Sequence, residues 1–332
     1  LRALRNGEVP FGRRKLITDL ADRLTKHSML ALVGASGTGK SSLVFAGLIP
    51  KLQEDVLTPV KGWSYLEAFT PGSDPLKALS SLLGAKLPQD LSILDFLESN
   101  PSEILEILSR AGIAHAFIFV DQFEEIFTLT TDAKARENFL ACLSALVTAD
   151  GQPHRLVLTM RSEFQHELDH FPDFAKLFEE NLTRLYKMSP GELREAIEGP
   201  ASKVGLRFDD GLVDELVEQI APDPSGLPLL QFTLRTLWNR KSRARVTWES
   251  YRTLDSARKA LANEAERRFK LLPPRSQSIA EDIFVAIVVL DEKGEPLRKR
   301  VPLKILRNLG NRDWVDQIID SYCSDPSFLL EM

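Results

Sequence analysis

The sequence predicts an α/β fold in which a parallel five-stranded sheet carries helices on both faces, followed by a helical domain and a partial winged-helix domain. Three observations support this prediction. Short apolar runs alternate with amphipathic stretches over residues 13–187, which is the rhythm of β-α-β units. A glycine-rich segment directly follows the first apolar run. After residue 188 the pattern changes to helical stretches that proline and glycine separate.

Five apolar runs of strand length define the predicted sheet. They are Met29–Val33, Trp63–Phe69, Ala116–Val120, Arg155–Thr159 and Leu182–Tyr186. Amphipathic stretches between them predict helices at Ser42–Leu48, Pro75–Leu83, Ser102–Ala111 and Ala133–Val147. Because helices connect the successive strands, the sheet should be parallel.

The region after residue 188 reads as helices first and a mixed segment later. Helices are predicted at Gly191–Glu198, Asp210–Ile220 and Leu229–Trp238. From residue 271 onward an apolar helix, a charged hairpin around residues 292–295 and a further helix pair suit a winged helix without its last elements. We therefore predict an α/β domain at 1–188, a helical domain at 189–270 and a partial winged-helix domain at 271–332.

Composition limits the classes of protein to consider. The 332 residues are 43% apolar, which is enough for two or three domains with their own cores. A net charge of -5, from 42 basic and 47 acidic residues, provides no overall attraction for nucleic acid or an anionic membrane. The two cysteines fit a reducing compartment, and no apolar run reaches the length of a membrane span. We expect a cytoplasmic segment of a longer polypeptide.

The glycine-rich segment has the spacing of a phosphate-binding loop. Its residues are Gly34, Ala35, Ser36, Gly37, Thr38, Gly39, Lys40 and Ser41. Glycines let the backbone turn its N–H groups toward a polyphosphate, lysine reaches the terminal phosphates, and the serine hydroxyl can hold Mg²⁺. The loop lies between a predicted strand and the helix that begins at Ser42, whose dipole favours anions. A nucleoside triphosphate is the predicted ligand.

Charged residues follow two other predicted strands. Asp121 ends the third strand and is predicted to hold Mg²⁺ with Ser41. Glu124 or Glu125 could position the water that attacks the γ-phosphate, although both also suit the first turn of a helix on electrostatic grounds. Arg161 follows the fourth strand and could contact the γ-phosphate.

Two further motifs match functional patterns, a zinc site and a nucleic-acid-binding surface, but we interpret both as structural features. His166 and His170 with an intervening glutamate match a zinc-peptidase pattern, but Pro172 would stop the helix that such a site needs. The basic run at residues 298–300 lacks interleaved aromatic residues, so we interpret it as a solvated surface and expect no nucleic-acid partner.

Taken together, these motifs resemble the STAND class of signal-transduction ATPases, a relative of the NACHT and AAA+ ATPases, and especially its bacterial branch. Residues 120–127 resemble the metal-binding motif and residues 159–161 the sensor arginine. In residues 69–76, Thr70 stands where the class usually has an arginine before Pro-Gly. Further matching segments are residues 10–14, 193–201 and 226–231.

The resemblance implies roles that the residues alone do not. Phe11, Gly12 and Arg13 would frame adenine, and Pro228 would pack on it. The implied cofactors are ATP, ADP and Mg²⁺, with a closed ADP state, assembly into a homo-oligomer with ATP, and slow hydrolysis as a reset. Effector and sensor domains would lie outside this segment, in a signalling or defence protein. No histidine follows His170, so the histidine contact to the β-phosphate known in the class is absent from this segment.

Two other functions remain open at this stage. One is a motor ATPase of the AAA+ kind, which fast, polymer-stimulated hydrolysis would indicate. The other is a nucleotide-gated DNA-binding regulator, which would show salt-sensitive binding through the basic run at residues 298–300.

Overall fold

The computed structural model describes residues 11–56, 63–84, 93–151, 154–223, 226–254, 257–290, 296–299 and 301–323. They fall into two compact units. The first unit holds the residues up to 200 and residues 221–226, and the second holds residues 201–220 and those from 227 onward. Among the described residues, no helix is both long and apolar enough to cross a membrane.

The first unit is built on a parallel five-stranded sheet with the strand order β2-β3-β4-β1-β5. Its strands are β1 (Met29–Gly34), β2 (Trp63–Tyr65), β3 (His115–Val120), β4 (Arg155–Arg161) and β5 (Leu182–Arg184). The predicted fold class is thereby confirmed. Strand β2 ends earlier than predicted, because its chain pairs regularly only to Tyr65 and rejoins β3 at an isolated bridge between Phe69 and Val120.

Helices cover both faces of this sheet. They are α1 (Arg14–Lys26), α2 (Lys40–Leu43), α3 (Ile49–Lys51), α4 (Pro75–Gly84), α5 (Ile93–Ser99), α6 (Ile104–Arg110), α7 (Glu125–Thr128), α8 (Ala133–Thr148) and α9 (Pro172–Glu180). Helix α10 (Pro190–Lys203) follows β5 in the chain. Residues 101–103 and 162–170 form 3-10 helices. Helix α10 begins with a capping box, in which Ser189 and Glu192 each accept a hydrogen bond from the other's backbone N–H.

The helix after the glycine-rich loop differs from the predicted regular α-helix. Residues 44–48 and 52–56 form π-helical turns on either side of α3. Pro50 lacks the N–H that would bond to Ala46 four residues earlier, and the wider turn instead pairs the Ile49 N–H with the Val44 carbonyl.

The three central strands of the sheet, β3, β4 and β1, are buried on both faces, whereas the edge strands β2 and β5 are partly exposed. Alternate residues of β1 enter two separate apolar clusters: Met29, Ala31 and Val33 pack into one and Leu30 and Leu32 into the other. The first cluster is completed by α4, α5, α6, α8 and α9, and the second by α1 and the helical segment after the loop. Burial on both faces is typical of parallel sheets in α/β proteins and explains the continuous apolar runs in the sequence.

The second unit is mainly helical. Its helices are α11 (Leu212–Ile220), α12 (Gly226–Arg240), α13 (Trp248–Arg252), α14 (Ala257–Leu271), α15 (Pro274–Ala286), α16 (Leu303–Leu306) and α17 (Arg312–Cys323). Strands β6 (Arg207–Phe208) and β7 (Arg245–Val246) pair in parallel, and β8 (Val288–Leu290) pairs with β9 (Pro296–Arg298) in antiparallel fashion. The predicted turn at residues 292–295 lies outside the described residues, but the strands that flank it pair as a hairpin requires.

Candidate active site

The glycine-rich loop connects β1 to α2 and adopts a conformation that requires glycine. Gly37 and Gly39 have φ values of +77° and +86°, in the left-handed region that other residues rarely adopt. A Cβ atom on Gly34 would lie only 2.4 Å from the carbonyl oxygen of Leu185, just after β5. The three glycines therefore serve two different purposes, turning the loop and allowing the neighbouring strand to approach it.

Lys40 lies at the first residue of α2, and its side chain turns back over the loop. Its Nζ donates hydrogen bonds to the carbonyl oxygens of Gly34, at 2.7 Å, and Ala35, at 2.9 Å. Burial lowers the pKa of the Lys40 ammonium from its usual value, while the negative charge of Glu124 opposes that shift. The cation is thus held at the mouth of the loop, where a phosphate of a bound nucleotide would offer it stronger acceptors.

Ser41 and Asp121 come together from positions 80 residues apart in the sequence. The Ser41 hydroxyl donates to Asp121 Oδ1 at 2.8 Å. A hydroxyl and a carboxylate are oxygen ligands of the kind that Mg²⁺ prefers, and Mg²⁺ in phosphate sites uses only one or two protein ligands. These two residues therefore fit the predicted metal role. No group of three or more His, Cys, Asp or Glu side chains within the described ranges is arranged to hold a metal ion by itself.

Asp121 is held by donors that converge on one of its oxygens. Besides the Ser41 hydroxyl, Oδ1 accepts hydrogen bonds from the Thr159 hydroxyl and, at 3.1 Å, from the backbone N–H of Gln122. Neither Thr159 nor Gln122 was given a role of its own from the sequence, although both lie in segments that resemble family motifs. A hydroxyl residue near the end of an otherwise apolar strand was the available signal for Thr159; the turn at Gln122 has no signal in the sequence.

The two glutamates that the sequence left as alternatives face different parts of the molecule. Glu124, only 2% exposed, contacts Arg161 in two ways: its Oε1 forms an ion pair with Nε at 3.2 Å, and its Oε2 accepts a hydrogen bond from the backbone N–H at 3.2 Å. Glu125 instead accepts from the backbone N–H of Gly72 at 3.0 Å, and the Thr130 hydroxyl donates to the carbonyl of the same glycine. Glu124 therefore lies with the charged residues of the loop, whereas Glu125 holds the segment around Gly72.

Arg161 lies directly beside the loop in the sheet. It ends β4 in register with Gly34, the last residue of β1. Its guanidinium is mostly buried against Glu124, and Glu163 lies 4.0 Å from its Nη1. The carboxyl edge of the sheet thus brings Arg161, Glu124, Asp121 and the loop together, as parallel strands predict.

The segment at residues 11–13 packs against α10 and the end of β5. The Arg13 guanidinium donates to the Tyr186 carbonyl at 2.7 Å and pairs with Glu192 at 3.4 Å, and burial lowers its pKa. Gly12 and Gly199 permit this packing, because a Cβ on either would collide with the Glu192 backbone or the Phe11 ring. Pro10 lies outside the described residues. The expected role of this segment in framing adenine stays a prediction.

Other candidates of the sequence analysis lie elsewhere. Ser42 is the third residue of α2. Pro228 belongs to the first turn of α12 in the second unit, so its packing on a base stays a prediction. His166 and His170 lie on a 3-10 helix rather than an α-helix. With three residues per turn, residues four apart do not share a face there, unlike the helix of a zinc peptidase.

Comparison with known proteins gives one family and a common fold. The model of the family described as Novel STAND NTPase 1 matches residues 5–325. None of the curated proteins with which the chain was compared is detectably similar in sequence.

Among solved structures, the Aeropyrum pernix Orc1 protein in complex with DNA is 18% identical, with a TM-score of 0.53 over 94% of this chain and 81% of the other. The Aeropyrum pernix Orc2 protein in ADPNP-ADP complexes is 13% identical, with a TM-score of 0.54 over 97% of both chains. A Walker-type ATPase of Pyrococcus abyssi is 15% identical, with a TM-score of 0.51 over 97% and 91%. At these identities the likeness shows a shared fold.

Proposed function

Because the chain belongs to the Novel STAND NTPase 1 family, we propose that it is the nucleotide-dependent switch of a signalling protein, binding ATP or ADP with Mg²⁺ and hydrolysing ATP slowly. The observation that carries this proposal is the convergence of Lys40, Ser41, Asp121, Glu124 and Arg161 at one edge of the sheet. Structural neighbours that include a Walker-type ATPase and a protein in ADPNP-ADP complexes support the choice of ligand.

Binding would rest mainly on the loop. Its backbone N–H groups and the N-terminus of α2 would surround the phosphates, and Lys40 would move its hydrogen bonds from the loop carbonyls to phosphate oxygens. Ser41 and Asp121 would hold Mg²⁺, which when bound offsets the charge of the β- and γ-phosphates. The Ser41–Asp121 hydrogen bond keeps both oxygens in place for this role.

Hydrolysis would use Glu124 rather than Glu125. Glu124 lies within the electrostatic reach of Lys40 and contacts Arg161, so a water bound to it would lie beside the terminal phosphate. Arg161 both orients this carboxylate and offers positive charge to the transition state. Glu125 would instead stabilise the loop around Gly72.

Membership of the family supports a switch with two nucleotide states. The ADP-bound protein would be closed, exchange for ATP would open it and allow assembly of a homo-oligomer, and hydrolysis would reset it. Sensor and effector domains of the longer protein would supply the trigger and the response, in signalling or antiviral defence. Slow turnover is consistent with a carboxylate whose two oxygens already contact Arg161, because these contacts compete with the binding of water.

Nucleotide binding at the proposed site is tested by replacing Lys40. Lys40→Ala should lower ATP affinity about 100-fold or more, because the loop loses its only side-chain cation for the phosphates. Lys176→Ala, an exposed change on α9, is the matched control and should bind as the wild type does. Isothermal titration with ATP and ADP measures both. Undiminished ATP affinity in Lys40→Ala would overturn the proposed site.

The switch is tested by the nucleotide that the purified protein carries and by its assembly. Chromatography after denaturation should show ADP in about one-to-one amount, and light scattering should show larger particles with a non-hydrolysable ATP analogue than with ADP. Rapid hydrolysis stimulated by DNA or a polypeptide, with no retained ADP, would favour a motor instead.

A further inference from the structure

Thr159 of β4 contacts three successive residues beyond the end of β3. Its hydroxyl donates to Asp121 Oδ1 and accepts from the Gln122 N–H at 3.0 Å. Its carbonyl oxygen accepts from the Phe123 N–H at 2.8 Å. A single residue of the neighbouring strand thus holds the whole turn that carries Asp121 into the candidate site.

The turn that Thr159 holds is strained. Gln122 has a φ of +55°, a left-handed conformation that is unfavourable for a non-glycine residue. Beyond it the Phe123 ring is fully buried and stacks on Phe174 at 5.6 Å between centroids. The strained residue therefore lies between two fixed points, the Thr159 hydroxyl network and the aromatic core, which together maintain its conformation.

The hydroxyl of Thr159 has no packing role that a methyl group would not fill. Thr159 is 1% exposed and lies between Leu158 and Met160, both fully buried. Alternation along β4 places Thr159 on the sheet face of Val157, which packs in the same cluster as Leu43 of α2. Valine would suit that apolar face equally well, so the polar group is explained by its bonds to Asp121 and Gln122.

We propose that Thr159 is a positioning residue for the Mg²⁺ site: with Ser41 and Gln122 it fixes the rotation of the Asp121 carboxylate. This inference rests on the proposed function. Because all three donors meet Oδ1, the second oxygen of Asp121 has a defined direction. Partners of this kind, which hold a metal-binding carboxylate without contacting the metal, typically change metal affinity 10- to 100-fold when removed.

The experiment compares Thr159→Val, which removes only the hydroxyl, with Thr159→Ser, which keeps it. Thr233→Val is the matched control, since Thr233 is a buried threonine whose hydroxyl bonds within α12. For each protein, the affinity for a fluorescent ATP analogue is measured across a Mg²⁺ titration and in EDTA. Thermal unfolding without nucleotide is recorded in parallel.

Mg²⁺ should increase the affinity for the ATP analogue. We expect the Mg²⁺ concentration that gives half of this increase to be about 10-fold higher in Thr159→Val than in the wild type. Its affinity in EDTA should match that of the wild type, and Thr159→Ser and Thr233→Val should behave as the wild type throughout. Thr159→Ala serves as a second variant if the valine protein does not fold. A crystal structure of the valine variant should show the Asp121 carboxylate rotated.

Two results would overturn the inference while leaving the proposed function intact: a wild-type Mg²⁺ response in Thr159→Val, or an equal loss in Thr159→Ser. Equal losses of affinity in EDTA and in Mg²⁺ would indicate a structural role instead, and would also overturn it. A wild-type protein that binds no nucleotide at all would remove the proposed function, and this inference with it.

Discussion

The two ends of β4 each carry an arginine, and the two arginines are satisfied in different ways. At the amino end, Arg155 donates to the Leu24 carbonyl at 2.6 Å and lies over the Trp63 ring at 5.4 Å. At the carboxyl end, Arg161 pairs with the buried carboxylate of Glu124. One cation is fixed to backbone and aromatic groups that no ligand would replace, whereas the other faces a carboxylate next to the loop.

The difference shows that the two edges of the sheet hold different kinds of polar group. Those at the amino edge bond to fixed parts of the protein, whereas those at the carboxyl edge belong to the candidate site. At the amino end, burial and the nearby charges of His115 and Arg155 lower the pKa of His154 to about 4, so its imidazole is neutral near pH 7 and accepts from the Ala116 N–H. At the carboxyl end, Asp121, Glu124 and Arg161 have low exposure, and each bonds to another of these side chains or to a backbone N–H group. Partnered charge of this kind is what phosphate chemistry requires.

The largest expected effect concerns the two adjacent glutamates. Glu124→Gln should lower ATP turnover by about 10²- to 10⁴-fold while leaving ATP binding intact, because the amide cannot accept a proton from water. Glu125→Gln is the matched control, and a loss below about 5-fold is expected there. Single-turnover hydrolysis and equilibrium binding measure the two effects. Comparable losses in both variants would show that the geometry of the carboxyl edge does not assign the base.

A smaller effect should distinguish the two arginines of β4. Arg161→Met should lower turnover about 10- to 100-fold, because it removes charge from the transition state. Arg155→Met should leave turnover per folded molecule unchanged and lower the free energy of unfolding by about 1–3 kcal/mol, because it leaves buried carbonyl acceptors unpaired. Urea denaturation and steady-state kinetics measure both. A larger effect of Arg155→Met on ATP turnover than on the free energy of unfolding would contradict this distinction between the two arginines.

The smallest effect is the pH dependence of stability at the amino end. The pKa of His154 is about 4 in the folded state and about 6.5 in an unfolded chain. Between these values the unfolded chain binds more protons, so His154 makes the free energy of unfolding fall as pH is lowered, by about 1.4 kcal/mol per pH unit at most. In His154→Asn, the free energy of unfolding, measured by urea denaturation at several pH values between 7 and 4.5, should depend less steeply on pH than in the wild type. An unchanged slope would mean that other groups dominate acid unfolding.

Much of the structure of the first unit could be predicted from the sequence, because short stretches of the chain determine where its strands and helices lie. Apolar runs such as Met29–Val33 and Arg155–Thr159 became strands at nearly the predicted residues, since burial on both faces leaves an unbroken apolar signal. The helix predicted at Ser42–Leu48 is present, but residues 44–48 form a π-helical turn, because the consequence of Pro50 for the preceding turn depends on hydrogen-bond register rather than on apolar spacing. The boundaries predicted at residues 188 and 270 stay predictions.

By itself, the sequence determined the parallel sheet, the glycine-rich loop and the set of charged residues at the carboxyl edge, because residue type and local spacing encode each of these. Only the tertiary structure showed that Glu124 and Glu125, chemically identical neighbours, have different partners, Arg161 for Glu124 and the Gly72 N–H for Glu125. It alone showed the bond between Thr159 and Asp121, which joins two strands 38 residues apart. Such contacts depend on strand register and on the direction of single side chains, and spacing along the chain carries no information about either.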